Sequence, residues 1–192
     1  MLGAPRLFTM IPNQSRFGGS MRYLFYQGAI TPEGVRNAQA LAWAAVADGE
    51  PALTLCIVSG GGDVTSGIGL FNYLDMLPIP VYTHAAGPCG SIAVTIFLAG
   101  QKRTAAPLSM FTTHQSTFSE GPNAGQRAPN TDLIAEPFKT VANWSDDAVA
   151  QRFGAADFNF SPREAKKLGI VDNVVDVKLG SGDALVNVFI PN

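Results

Sequence analysis

A chain of 192 residues, 46% of them hydrophobic and only 15% charged, is long enough for one domain with a sizeable core. It is apolar enough that part of its surface is expected to be covered by other subunits. A formal charge of −2 supplies no basic field, which argues against nucleic acid or a polybasic membrane anchor.

Residues 1–20 mix Gly, Pro, Ser and Asn with a few apolar residues. They read as a mobile arm, and without a long apolar stretch they are not expected to act as a secretory signal, so the protein is expected to be cytoplasmic. Arg22 to Gln27 reads as a strand. Thr31-Pro32-Glu33 then opens a helix with a cap, a proline at the first helical position and an early acid. Val35, Ala38, Leu41, Ala42 and Ala45 share one face of it, and Gly49 ends it. Leu53 to Val58 is a continuous apolar run, as in a strand buried on both faces, and it stops at Ser59-Gly60-Gly61-Gly62-Asp63.

The spacing of Ile68, Phe71 and Leu74 predicts a helix over Val64–Leu77, closed by Pro78 and Pro80. A strand from Val81 to Ala86 leads through Gly87-Pro88-Cys89-Gly90-Ser91 into an apolar helix from Ile92 to Ala99. The run Ser91–Ala99 is too short to cross a bilayer. Short strands follow around Arg103-Thr104 and Met110-Phe111-Thr112. Glu120 to Asn130 is a loop by composition, and Thr131 to Phe153 reads as a helix bent or split by Pro137. Ser161-Pro162-Arg163-Glu164 is a capping box opening a short helix that ends at Gly169. Val171–Val177 and Leu185–Ile190 are expected to close the domain as strands. Strands alternating with helices predict an α/β fold, with helices packed over a mostly parallel sheet in a single domain, 1–192.

Four places in this frame could carry chemistry. Ser91 stands at a strand-to-helix turn, where free N–H groups favour negative charge; taken alone, such a serine is more simply a helix cap. The glycine run is neither a phosphate loop, since Ile68 stands where lysine is required, nor a dinucleotide fingerprint, since Thr65 stands where the third glycine belongs. It remains a strand end whose backbone can approach a ligand closely. Of the only two histidines, His84 lies mid-strand and reads as a packing residue, whereas His114 enters a loop from a strand end, a good place for a general base. The two cysteines, Cys56 and Cys89, form no metal-ligand spacing or disulfide framework, so neither metal nor cofactor is expected. Cys56 reads as buried filler, and Cys89 pairs with His114 in a minor thiol-nucleophile alternative. The flanks of Ser91 do not make the elbow of α/β-hydrolases.

In combination these segments resemble the proteolytic subunits of the Clp protease family, serine peptidases of the crotonase-type fold. Ser59-Gly60-Gly61-Gly62-Asp63-Val64-Thr65-Ser66-Gly67 is similar to that family's Ser-Pro-Gly-Gly-x-x-Thr-Ala-Gly, and His114-Gln115 to its His-Gln-Pro. Asp157, Glu164-Ala165 and Gly169-Ile170-Val171-Asp172 follow its third signature, and the likeness covers residues 22–177 in order. The resemblance implies a spiral of ββα units. It also implies Ser91 as nucleophile, His114 as general base and Asp157 as the group orienting it. Asp172 is the rival third member, in a family position that is structural. The oxyanion would be held by the N–H groups of Gly62 and Ile92, and an extended peptide would lie along Gly61, Gly62 and Asp63 with Ser116 and Thr117 opposite.

The implied protein is a serine endopeptidase acting on peptides or unfolded protein. It would work as a homo-oligomeric ring, single or double, with an ATP-driven (AAA+) unfoldase as partner. The chain departs from the family pattern in several places. Gly60 and Ser116 replace prolines, and Pro88-Cys89-Gly90 replaces small alanines. Residues 1–20 do not resemble the axial-loop segment. Pro122, Pro129 and Pro137 fall in the handle region, 116–153, which is expected to be altered and puts the double ring in question. The competing readings are a non-catalytic subunit of the same fold and a crotonase-type enzyme acting on acyl-CoA. A Ser/Lys dyad is disfavoured, with only Lys102 near the region of the base.

Overall fold

The structure, a computed structural model, describes residues 21–190. The expectation of a mobile arm over 1–20 lies outside the described residues. Strands and helices alternate through the first half: β1 (Arg22–Gln27), α1 (Pro32–Ala47), β2 (Leu53–Ser59), α2 (Val64–Asp75), β3 (Val81–Gly90) and α3 (Ile92–Phe97). The second half holds β4 (Lys102–Ala105), β5 (Met110–Thr113), α4 (Asn130–Thr140), α5 (Asp146–Arg152), β6 (Phe158–Phe160), α6 (Pro162–Lys167), β7 (Asn173–Val174) and β8 (Ala184–Asn187). The sheet runs β6-β5-β3-β2-β1-β8, with β4 bonded to β3 and β7 to β4. Every pairing is parallel except β5 with β6. This is the mostly parallel α/β arrangement the sequence predicts.

The helices form where local chemistry favours them. The Thr31 hydroxyl accepts the Gly34 N–H at 3.0 Å and Pro32 starts α1, whose buried face carries Val35, Ala38, Ala42 and Ala45. Those residues pack with Leu24, Leu53, Leu55 and Ile57 of the central strands, and with Leu70, Leu74, Ile92, Ile96 and Phe97 from α2 and α3. The capping box at Ser161 and Glu164 forms in both directions.

Three boundaries differ from the sequence reading. The helix expected over Thr131–Phe153 is two helices, but Pro137 lies inside α4 and the break falls at Val141–Trp144, with Asn143 at φ 59°. Ser145 caps the new start by accepting the Ala148 N–H at 3.2 Å. A helix tolerates an interior proline when packing holds it, and here Ile134, Ala135, Pro137 and Phe138 are all buried. The closing strands are far shorter than expected, because most of that apolar sequence leaves the ladder after a few residues. Third, β3 continues to Gly90 instead of ending at Ala86.

That continuation matters for the site. Between the pairs Ile57↔Ala85 and Ser59↔Cys89 the register shifts, so β3 spends two more residues than β2 on the same step. Residues 82–85 of β3 pair with β4, and 88–90 pair with β5. The bulge hands the strand from one neighbour to the next just before Ser91.

Candidate active site

Three strand ends converge. Gly90 at the end of β3 pairs with Thr112 of β5, and Thr113 at the end of β5 pairs with Phe158 at the start of β6. Ser91, His114 and Asp157 are the next residues outward on these three neighbouring strands. The Ser91 N–H donates to the Thr112 carbonyl at 2.8 Å, which locks the turn to β5. The topology therefore brings the three expected residues to one edge of the sheet.

Ser91 occupies the N-cap position of α3 without capping it through its side chain. Its hydroxyl makes no capping bond, and its backbone sits at φ 53°, ψ −132°, a conformation that a non-glycine residue adopts at a cost of about 1–3 kcal/mol. Strain of this kind persists only where the surroundings impose it, and here they do so from two sides. The Ser91 N–H is tied to β5, and Gly61 (φ 109°) lies so close that a Cβ there would come within 2.7 Å of the Ser91 Cβ.

The glycine loop is braced by the segment after β1. Ile30 N–H donates to the Gly61 carbonyl at 2.9 Å, and Asp63 N–H donates to the Ile30 carbonyl at 2.8 Å. A Cβ on Gly62 (φ 151°) would stand 2.3 Å from the Ile30 carbonyl oxygen. Gly61 N–H is held by the Ser59 hydroxyl at 3.1 Å. Skipped by this brace, the Gly62 N–H has no partner among the described residues. The same holds for the Ile92 N–H, an unpaired donor at the first position of α3. An open depression of about 470 Å³ borders the loop, walled by Gln27, Gly28, Val58 and Pro88.

The other half of the site is less tightly engaged. His114 is half-buried, and its Nδ1 lies 2.8 Å from the carbonyl oxygen of Gln115, the neighbouring residue in the chain. Asp157 is exposed and joins no ion pair among the described residues. Its rival is fully occupied: the Asp172 carboxylate accepts the Arg103 backbone N–H at 2.7 Å and pairs with the Arg103 guanidinium at 3.2 Å, fastening α6 and β7 to β4.

The expected peptide-binding positions divide. Gly61 and Asp63 have their main-chain groups engaged as described, and the Asp63 carboxylate caps α2 through the Ser66 N–H at 2.7 Å. Ser116 is buried; its N–H donates to the Thr131 hydroxyl at 3.0 Å, and its carbonyl accepts the Ala128 N–H at 2.8 Å. Thr117 pairs antiparallel with Arg127, and Phe118 bridges Ala124, so the loop folds on itself as a small tongue. Of these positions, Gly62 and Thr117 keep an N–H without a partner among the described residues.

Three further titratable groups, Cys56, Cys89 and His84, are buried in the sheet. Both cysteines are buried, and desolvation pushes the Cys89 thiol far up and Cys56 up to about 12. Burial of both thiols keeps them away from substrate, which counts against the Cys89–His114 alternative. His84 is 4% exposed, its Nδ1 is 2.9 Å from the Thr104 hydroxyl, and desolvation lowers its pKa to about 4 despite the opposing field of Asp176.

Sequence reading missed two parts of this site. The strand β6, which carries Asp157 to the sheet edge, is only three residues long; the alternation Phe158-Asn159-Phe160 is its one signal. Ile30, whose backbone braces the glycine loop, has no signal at all, because the brace is made by main-chain atoms.

The family model described as Clp protease matches residues 20–178. A Clp protease proteolytic subunit of Pleurastrum terricola, described as ATP-dependent, is 29% identical over 92% of this chain and 99% of its own length. Proteolytic subunit 2 of an ATP-dependent Clp protease from Corynebacterium diphtheriae is 26% identical over 67% of this chain and 68% of its own. Among solved structures, a ClpP1 mutant from Listeria monocytogenes superposes with a TM-score of 0.74, at 22% identity, over 82% of this chain and 92% of that one.

Proposed function

The chain belongs to the Clp protease family, and we propose that it is a serine endopeptidase in which Ser91 is the nucleophile, His114 the general base and Asp157 the group that orients the imidazole. The observation that carries this reading is Ser91 itself: a strained serine with a free hydroxyl, flanked by two unpaired backbone donors. A serine hydroxyl is inert at neutral pH unless a neighbouring base accepts its proton. On attack, the proton passes from Ser91 Oγ to His114 as the Oγ–carbonyl bond forms. The oxyanion would be held by the N–H groups of Gly62 and Ile92, neither of which has a partner among the described residues. His114 then returns the proton to the leaving amine, and water repeats the sequence on the acyl-enzyme.

The substrates are peptides or unfolded protein, with the chain acting in a homo-oligomeric ring. The apolar surface supports this assembly: Trp43, Met76, Leu108 and Leu133 are each more than half exposed. An ATP-driven unfoldase is the partner proposed, in keeping with relatives described as subunits of an ATP-dependent Clp protease. No helix among the described residues is long and apolar enough to cross a membrane, and the cytoplasm is the compartment proposed. A peptide's main chain docks between the glycine loop and Thr117, whose N–H has no partner among the described residues.

A fluorophosphonate probe tests the reading directly. Wild type is expected to be labelled and Ser91→Ala not; persistent labelling of the alanine protein overturns the assignment. A second reading, a non-catalytic subunit of the same fold, draws on the unpaired Asp157 and the Gln115 contact of His114. It predicts an unlabelled wild type in the same experiment.

A further inference from the structure

The backbone on both sides of His114 is fastened to one place. The Thr113 hydroxyl donates to the Arg152 carbonyl at 2.9 Å, and the Gln115 N–H donates to the Gly154 carbonyl at 2.9 Å. These carbonyls lie at the end of α5 and just beyond it, where chain-terminal carbonyls of a helix lack intrahelical donors. Thr113 is completely buried, so its hydroxyl has no water to fall back on.

The anchor is itself held firmly. Phe153, between the two acceptors, is buried edge-on against Phe138 with ring centroids 4.9 Å apart. The Arg152 guanidinium lies over Trp144 at 5.2 Å and over Phe158 at 5.1 Å, and donates to the Ala148 carbonyl at 3.0 Å. Its Nε is buried with no hydrogen-bond partner, and no carboxylate pairs with the group among the described residues. Arg152 thus stacks α5 onto the strand that follows Asp157. One short segment links both the base and its orienting acid to the core.

We propose that Thr113 is a positioning residue for the general base: its hydroxyl, with the Gln115 N–H, clamps the His114 backbone to the end of α5 and sets where the imidazole stands relative to Ser91. This rests on the reading of His114 as the base. A strand residue at this buried position needs no hydroxyl for packing alone, since valine has the same shape. The hydroxyl makes the link directional.

The test compares Thr113→Val, which keeps the shape and removes the donor, with Thr113→Ser, which keeps the donor, in the full chain in its native assembly. Thr113→Val is expected to label with fluorophosphonate roughly ten- to a hundredfold more slowly, with kcat for a peptide substrate falling in parallel and KM unchanged. Thr113→Ser is expected to recover most of the rate. A role in stability alone would lower the melting temperature and leave kcat per folded site intact. If Thr113→Val, folded by circular dichroism, labels at the wild-type rate, or if Thr113→Ser is as slow as valine, the proposal fails. Should the valine protein not fold, Thr113→Ala carries the same comparison against serine. His114→Ala separates the two levels. Labelling abolished in His114→Ala but normal in Thr113→Val refutes the clamp alone, and normal labelling in His114→Ala refutes the base and the clamp together.

Discussion

The two halves of the site are built by different means. On the nucleophile side, Ser91, Gly61 and Gly62 are fixed by backbone against backbone, with Ile30 and Thr112 supplying the hydrogen bonds. On the other side, His114 and Asp157 project from the ends of a four-residue and a three-residue strand, and their side chains make no bond to each other. The first half is set by the central parallel strands and their core. The second depends on a few side-chain and loop contacts, chiefly those at the end of α5. Strain and close approach are stored where the scaffold is strongest, and adjustable groups sit where it is thinnest.

Substitutions can break or sharpen this contrast. The largest effect is expected from Asp157→Asn, which should lower kcat roughly 10³- to 10⁴-fold without unfolding the protein. An unchanged kcat would mean that the exposed carboxylate takes no part, and that the looser half consists of His114 alone. Next comes Gly62→Ala, whose Cβ would collide with the Ile30 carbonyl and displace one of the two free donors. A loss of roughly 10²- to 10³-fold in fluorophosphonate labelling is expected, and full activity would show that the brace at Ile30 yields easily.

Away from the site, His84 gives a pH dependence. The unfolded imidazole titrates near 6.5 and the folded one near 4, so the unfolded chain binds the extra proton within that window. Stability should therefore fall as the pH drops from about 6.5 toward 4, by about 3 kcal/mol in all. In denaturant titrations His84→Leu should lose that slope; a slope unaltered by the substitution would assign it to other groups. The smallest effect is expected at the capping box of α6. Glu164→Ala should cost about 1 kcal/mol in thermal or denaturant unfolding and leave kcat unchanged, since α6 (Pro162–Lys167) carries none of the three proposed catalytic residues. A matching drop in kcat would tie α6 to the looser half of the site.

The same contrast explains what was legible in the sequence. Elements whose signals are local, such as the Thr31-Pro32 start of α1, the apolar run of β2 and the capping box at Ser161, stand where the residues predict. The placement of Ser91, His114 and Asp157 just beyond strand ends follows from local patterns, and the topology puts those three strands side by side. What could not be read is whatever depends on distant main-chain atoms. The resemblance implies Asp63 as a peptide-binding position, and nothing local to it shows that its carboxylate caps α2 and its N–H bonds to Ile30. Pro137 looked like the break in a long helix, yet burial keeps it helical and the chain turns at Asn143 instead. Ser116 looked available to substrate and is bonded to the start of α4.

The bulge in β3 divides one strand between two neighbourhoods, and that has a kinetic consequence. Residues 82–85 share their ladder with β4 and, through it, with the Arg103–Asp172 fastening; residues 88–90 share theirs with β5. Opening of the β4–β7 corner frees only the β4-facing side of the first group, whose other side stays paired with β2, while the second group stays bonded to β5. Amide hydrogen exchange along this single strand is then governed by two separate opening events, and the Ser91 N–H, donated to Thr112, retains protection after the β4-facing amides of Thr83 and Ala85 have lost it. The turn that holds Ser91 is insulated from breathing at the far edge of the sheet by two additional residues in the middle of a strand.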